Sequence, residues 1–272
     1  MKKLKLLLLL PVFVILVSGC TMDGGAEQAQ DVFEEAMNNS AILTTYTASY
    51  SMNLDMTTMG QSYISLQGAV DLWQKLDKSK MYGILNFAFL GQQQQISMYM
   101  FDLPEGSYAC IAEEATCVET EQVAGLSIES PDETFEMLQQ LVDEGVVTLS
   151  YLGPKSLAGR TCDNVKVTIN PQQIPEMAEI PEDMMTPEIQ QALQNANMYY
   201  TICLDQETGM TLEYLMSLSF TMQLTNEQTG GMGAMTVSTT MIMQMIATAF
   251  SPNTNIPDSV FELPYAISTP SF

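Results

Sequence analysis

The chain has no histidine and little basic charge, with nine Lys and Arg against 32 Asp and Glu in 272 residues. Without His, no Ser-His-Asp or Cys-His nucleophile can be assembled, and no imidazole zinc site can form. Carboxylate-only chemistry, as in glycoside hydrolysis, needs two acids placed across a sugar-binding cleft. Here the acids are scattered through turns and helix faces, and a single Trp is available to stack on a sugar. An enzyme is therefore not expected. The shortage of bases leaves no cationic surface for phosphates, which argues against nucleic acid as a partner. Only 15% of residues are charged, and Gln, Thr, Ser and Met stand where charges are usual. The acidic balance serves solubility, or attracts cations or a basic partner.

Long apolar runs are absent too, except at the N-terminus. The basic start MKKLK is followed by the 12-residue stretch LLLLLPVFVILV. That is shorter than the ~20 residues a membrane span needs, and it has the layout of a secretory signal. The stretch runs into Val17-Ser18-Gly19-Cys20, which resembles the lipobox of prokaryotic lipoproteins. On that resemblance, residues 1–19 are a lipoprotein signal peptide and Cys20 carries the lipid. Residues 20–25 are then a tether to the membrane, and the protein is exported and held on the outer face of the cell membrane or envelope. Cleavage would remove Lys2, Lys3 and Lys5 but no acid, leaving six bases against 32 acids.

With Cys20 set aside, four Cys remain in a compartment where disulfides persist. Cys110 and Cys117 flank IAEEAT, a short reversal, while Cys162 and Cys203 each lie in a strand-like segment. Of the three connectivities, Cys110–Cys117 with Cys162–Cys203 is preferred. No CxxC spacing and no His support a metal site, and no cofactor is expected.

Residues 26–43 carry the period of an amphipathic helix, with Val32, Phe33, Ala36, Met37 and Ile42 inward. From residue 45 the period is two. Tyr46, Ala48, Tyr50, Met52, Leu54 and Met56 share one face, and Ile64, Leu66, Val70 and Leu72 continue the alternation. Segments 81–89, 94–101 and 106–119 extend a meander with one wet and one dry face. A helix is expected over 130–143, strands over 146–153 and 161–169, and a proline-rich insertion over 171–197, helix-like from Pro187. The segment after Gly209 alternates Met210, Leu212, Tyr214, Met216, Leu218, Phe220, Met222 and Leu224 on one parity, long enough for a strongly curved sheet.

The last long strand, 234–249, contains MIMQM, in which Met241, Met243 and Met245 share a face. Three readings compete: ordinary core, a lining for an apolar ligand, or thioether ligands for soft Cu(I). Same-face neighbours on a strand stand ~6.5–7 Å apart, and no His or free thiol completes a metal site. The metal reading is set aside. Met is unbranched and polarizable, which suits a cavity that takes chains of varied shape. The candidate lining is Tyr50, Met52, Leu54, Met56, Met98, Met100, Tyr214, Met216, Leu218, Phe220, Met222, Met241, Met243 and Met245. Core packing of the same side chains stays an open alternative.

The order of segments resembles the LolA/LolB-like lipoprotein carrier superfamily, with its LppX/LprG-like lipoproteins. The residues that carry the likeness are TYTASYSMNL, GAVDLWQKLDKSKMY with its Trp-x-Lys strand, GPKSLAGRTCDNVKVTI followed by YTICLDQETGMTLEY, and the closing NIPDSVFELP. The likeness spans most of residues 26–264. The bracketing Cys and the proline-rich insertion depart from the best-known members. It implies a mainly β fold, α+β in detail: a highly curved antiparallel sheet, or unclosed β-barrel, with an N-terminal helix and lid helices on the concave face. Residues 26–272 would form a single domain. The expected function is that of a membrane-anchored extracytoplasmic lipoprotein that binds a lipid, an acyl chain or a lipidated molecule in the concave face. The alternative is a non-catalytic cell-surface structural or interaction lipoprotein without a ligand.

Overall fold

The computed structural model describes residues 24–89, 92–120, 140–173, 187–224 and 235–267. Helix α1 (Gly24–Ala41) precedes six strands: β1 (Thr45–Thr58), β2 (Gln61–Lys75), β3 (Lys78–Phe89), β4 (Gln92–Leu103), β5 (Gly106–Ile111) and β6 (Thr116–Thr120). After the connection come β7 (Val147–Leu157), β8 (Arg160–Ile169), helix α2 (Pro187–Gln194), β9 (Asn197–Asp205), β10 (Thr211–Leu224) and β11 (Met235–Pro252). The expected helix over 130–143 falls largely outside the described residues, as do the signal peptide, Cys20 and much of the proline-rich insertion. The segment 146–153 is longer than its alternation suggests, because β7 continues to Leu157 through a bulge between Tyr151 and Gly153.

All the strands belong to one antiparallel sheet in the order β6-β5-β4-β3-β2-β1-β11-β10-β9-β8-β7. Two meanders are thus joined back to back by β1 and β11, whose partners are nearly two hundred positions apart in the chain. The two edges, β6 and β7, do not pair, so the barrel stays open. Irregular register at Ser49/Tyr50, Met56/Thr57 and Thr211/Glu213 adds local bend and twist to the central strands. The β6 edge is covered by the closing segment: the Cys117 N–H donates to Ala266 O at 3.1 Å, and Cys117 bridges Ile267 in parallel. An exposed ladder edge would otherwise invite pairing with another chain.

α1 lies across β7 and β9, with Ala29, Phe33 and Ala36 buried against Leu149, Val165, Val167, Tyr200 and Ile202. Ile42, placed inward by extrapolating the helical period, is 78% exposed. The helix ends at Ala41 and the Leu43 N–H turns back to Ser40 O, so the 3.6-residue phase no longer applies at Ile42. The C-terminal half of α1 sits on the β9–β10 turn, where Asn39 Nδ2 donates to Gln206 O at 3.2 Å. Gly209 closes that turn at φ +68°, and a Cβ there would stand 1.7 Å from Ala36 O.

The same turn is held from beneath. Buried Asp205 accepts two hydrogen bonds from Arg160, Nε at 2.7 Å and Nη2 at 2.8 Å, and two more from the Thr208 backbone and hydroxyl. Burial alone would raise the Asp205 carboxyl, but the hydrogen bonds from Arg160 and Thr208 outweigh it and hold it below the usual range. Next to it, Gln206 Nε2 and Tyr151 Oη both donate to Asp163. The hydrogen bond to that carboxylate, with some desolvation, pushes the Tyr151 phenol up to about 12. Two disulfides complete the frame. Cys110–Cys117 joins directly opposed residues of β5 and β6, and Cys162–Cys203 joins β8 to β9.

Candidate ligand-binding face

Cross-strand register turns the scattered methionines into one array. Three ladder rows cross β10, β11 and β1: Tyr214–Met245–Met52, Met216–Met243–Leu54 and Leu218–Met241–Met56. Met fills six of these nine places. Directly opposed side chains have Cβ atoms ~4.5–5.5 Å apart, closer than neighbours along a strand. Sequence spacing alone therefore understates how densely the thioethers are gathered.

The rows continue in both directions. Toward β7 they run through Ile202–Val165–Tyr151, Tyr200–Val167–Leu149 and Met198–Ile169–Val147. Toward β4 they run through Gly68–Leu85–Ile96, Leu66–Phe87–Gln94 and Ile64–Phe89–Gln92. Nine strands thus share one apolar face. Leu85 and Phe87 belong to it although the spacing analysis did not name them, and so do Ile64 and Leu66, which were named for their alternation but not placed in the candidate lining. Their alternation was legible, but their place beside the methionines depends on register.

Cover over this face is uneven. In the β7–β9 half, Val147, Leu149, Val165, Val167, Ile169, Met198, Tyr200 and Ile202 are all buried beneath α1 and the helical turn at 140–143. Met216 is packed into the same core at 2% exposure. Tyr50 is also packed, at 3% exposure, and its hydroxyl donates to Thr211 O at 2.9 Å. Burial raises the Tyr50 phenol well beyond its ordinary range and pushes Tyr214 up to about 12, so both stay neutral.

Across β1–β4 the same face is only half-buried at Met52, Leu54, Met56, Ile64, Leu66, Leu85, Phe87, Ile96, Met98 and Met100. Leu218, Phe220, Met222, Met241, Met243 and Met245 are half-buried as well, and α2 packs beside them on β10. Two glycines lower the floor here. A Cβ at Gly83 would meet Val70 and Met98 in ordinary contact, whereas one at Gly68 would strike Ile84 O at 2.3 Å.

The outer face is built differently. Phe101, Tyr108, Cys110 and Cys117 form a core closed by Leu263 and Tyr265 of the closing segment. Lys80 lies over Trp73 at 5.2 Å and over Tyr99 and Phe101 at 5.4 Å, where desolvation lowers its pKa. An open cleft of about 350 Å³ near Lys78, Glu105, Asp258 and Glu262 belongs to this charged side and suits no acyl chain. Among the described residues, no group of three or more His, Cys, Asp or Glu is placed to hold a metal ion, and no helix is long and apolar enough to cross a membrane.

No family model matches the chain, and no curated protein matches it. Several solved structures are similar in fold. MucB aligns with 88% of this chain at 10% identity and a TM-score of 0.44, and the chain spans 64% of the length of MucB. The lipoprotein LppX of Mycobacterium tuberculosis aligns with 85% of this chain and 98% of its own, at 11% identity and a TM-score of 0.35. A LolA superfamily protein of Nitrosomonas europaea aligns with 86% and 97%, at 7% identity and a TM-score of 0.29. At identities of 7–11% and TM-scores below 0.5 these likenesses carry nothing about the ligand, which is argued from this chain's own residues.

Proposed function

We propose that the protein is a lipid-anchored, extracytoplasmic, non-catalytic module that binds an acyl chain or another lipid on the methionine-rich inner face of its half-barrel. The observation that carries this reading is the uneven cover of one continuous apolar face. The β7–β9 half is packed as tightly as any core, while the β1–β4 half presents ten or so large apolar side chains only half-buried. None of these side chains is fully buried, so this half of the face is packed less closely than the β7–β9 half. The thioethers at its centre adapt to an irregular chain with little strain, because Met is unbranched and has three rotatable bonds. Among the described residues this face carries no base, which favours neutral chains over free anionic headgroups inside it.

Anchoring follows from the Val17-Ser18-Gly19-Cys20 stretch. A protein held at Cys20 cannot shuttle between membranes, so local reception or hand-over of the lipid fits better than soluble carriage.

Organic extraction of the purified protein followed by mass spectrometry tests the binding role. Co-purifying lipid, or saturable uptake of a fluorescent fatty acid by the extracted protein, is expected. A lipid-free protein with no affinity for fatty acids would leave the structural or interaction role as the better account. Cys20→Ser tests the anchor separately: the variant is expected in the soluble fraction, and its retention on membranes would contradict lipidation at Cys20.

A further inference from the structure

In the three ladder rows of the inner face, methionine is concentrated in the middle. Met takes six of the nine places on β10, β11 and β1. The same rows hold one Met in nine places on β9, β8 and β7, and none in nine on β2, β3 and β4. Both flanks are nonetheless apolar, the first mainly Val, Ile, Leu and Tyr, the second mainly Leu, Ile and Phe. Leu and Met have similar volumes and exchange in cores at little cost, so burial or an acyl chain alone does not select Met for the middle strands. What Met has and Leu lacks is a polarizable sulfur that donates to soft metals.

Along one strand, same-face neighbours stand ~6.5–7 Å apart, which argues against a shared ion. Across the ladder that limit does not hold. Met52 opposes Met245 and Met56 opposes Met241, and Met243 lies between these two pairs on β11. Opposed Cβ atoms stand ~4.5–5.5 Å apart, and each sulfur lies further out on an arm with three rotatable bonds. One opposed pair and Met243 can therefore bring three sulfurs around one point. These five side chains are half-buried and open to an entering ion, whereas Met216, the sixth, is closed off at 2% exposure.

The donors fit one class of ion. Thioethers are soft and neutral and select Cu(I), which accepts a set of three without an imidazole or thiolate. Harder ions find little here: Tyr214 holds the one side-chain oxygen among the nine places, and its phenol stays protonated. A monovalent ion keeps its charge among neutral donors, and a chain with a formal charge of −23 favours a cation.

We propose that Met243, with the opposed pairs Met52–Met245 and Met56–Met241, forms a thioether site for Cu(I). Met243 is common to both sets of three sulfurs, so the array holds one ion at a time. Such a site does not depend on the binding of lipid.

The test uses the Cys20→Ser protein, freed of co-purifying lipid by extraction, in which the four other cysteines are held in disulfides. The probes are Ag(I), an air-stable ion of the same charge and softness, and Cu(I) under nitrogen in competition with bicinchoninate. One ion per chain is expected, with sulfur as the only nearest neighbour in X-ray absorption. Met243→Leu keeps the volume of the side chain and removes the shared sulfur. Loss of an outer partner alone costs a metal site about 10–100-fold in affinity, and Met243→Leu is expected to cost about a hundredfold or more. Met81→Leu removes a half-buried thioether of β3 outside the three rows and is expected to bind as the parent does. Circular dichroism verifies that both variants are folded.

Four results would overturn the site: no binding of either ion, nitrogen or oxygen neighbours in the spectrum, undiminished binding by Met243→Leu, or equal losses in the two variants. Fatty-acid uptake is read on the same preparation. Uptake without metal removes the site and leaves lipid binding standing, whereas metal without uptake does the reverse.

Discussion

Met52 of β1 stands directly across the ladder from Met245 of β11, although 193 positions separate them in the chain. Both are half-buried, and each row neighbour, Gly68 on one side and Tyr214 on the other, belongs to the same apolar face. Replacing either thioether by a carboxylate places a charge where an acyl chain is proposed to lie. Met52→Asp or Met245→Asp is expected to weaken fatty-acid uptake about tenfold or more, whereas Met52→Leu keeps it within about threefold. Titration with a fluorescent fatty acid checks this. Equal binding by the Asp and Leu variants would move the ligand elsewhere.

Among the described residues, Asp205→Asn leaves Arg160 with the exposed Glu207 as its carboxylate partner. Removing one member of a buried pair typically costs about 3–5 kcal/mol, and urea unfolding at neutral pH should show a loss of that order. The pH dependence has a definite sign. The folded carboxyl lies below its unfolded value of ~3.9, so the pair's contribution is fully present above about pH 4. It is lost as pH falls through the lower, folded pKa. The gap between wild type and variant should therefore shrink below about pH 4 and stay constant above it.

Gly209→Ala and Gly60→Ala form an informative pair, since both glycines have positive φ. At Gly60 nothing lies within 4 Å of an added Cβ, and the cost should be the ~1–2 kcal/mol of a left-handed alanine. At Gly209 the added carbon would fall on Ala36 O and force α1 off the sheet. That substitution should lower the thermal midpoint at least about twice as far, and it should expose the core beneath α1 to dyes such as ANS. Similar midpoints for the two variants would show that α1 is not seated on the turn.

The disulfides close loops of different length, with sequence separations of 7 and 41. On chain entropy alone, Cys162→Ala/Cys203→Ala should cost about 4 kcal/mol and Cys110→Ala/Cys117→Ala about 2.5 kcal/mol. Denaturant titration of the two double variants gives the ranking. The shorter loop has a further role, because Cys117 also holds the closing segment through Ala266. Loss of the Cys110–Cys117 bond should therefore quicken proteolysis near residue 266 before it affects the methionine face.

Much of the local architecture was legible in advance. Alternation over 45–56 and 214–224 located faces correctly because side chains on a strand have a strict period of two. Over 210–213 it is interrupted by the register shift that buries both Leu212 and Glu213. Cys110 and Cys117 flank a reversal short enough to oppose them, as β5 and β6 do. Helical phase failed at Ile42, where the backbone leaves the helix and the period no longer applies. Sequence parity also treated Tyr50, Met52 and Met216 as equals. Their burial differs because α1, the β9–β10 turn and the bulged strand ends cover one part of the face and not another.

By itself, the sequence determined which chemistry is available and which side of each strand is apolar. The absence of His, the scarcity of bases and the two-residue period are properties of the chain at any conformation. The neighbours of each row were decided only by tertiary structure, because the pairing of β1 with β11 joins segments almost two hundred residues apart and no local signal specifies that register. The same pairing converts MIMQM from one strand's stripe into the middle of a methionine array. Hydrophobicity is encoded residue by residue, but a face exists only once distant strands have been brought side by side.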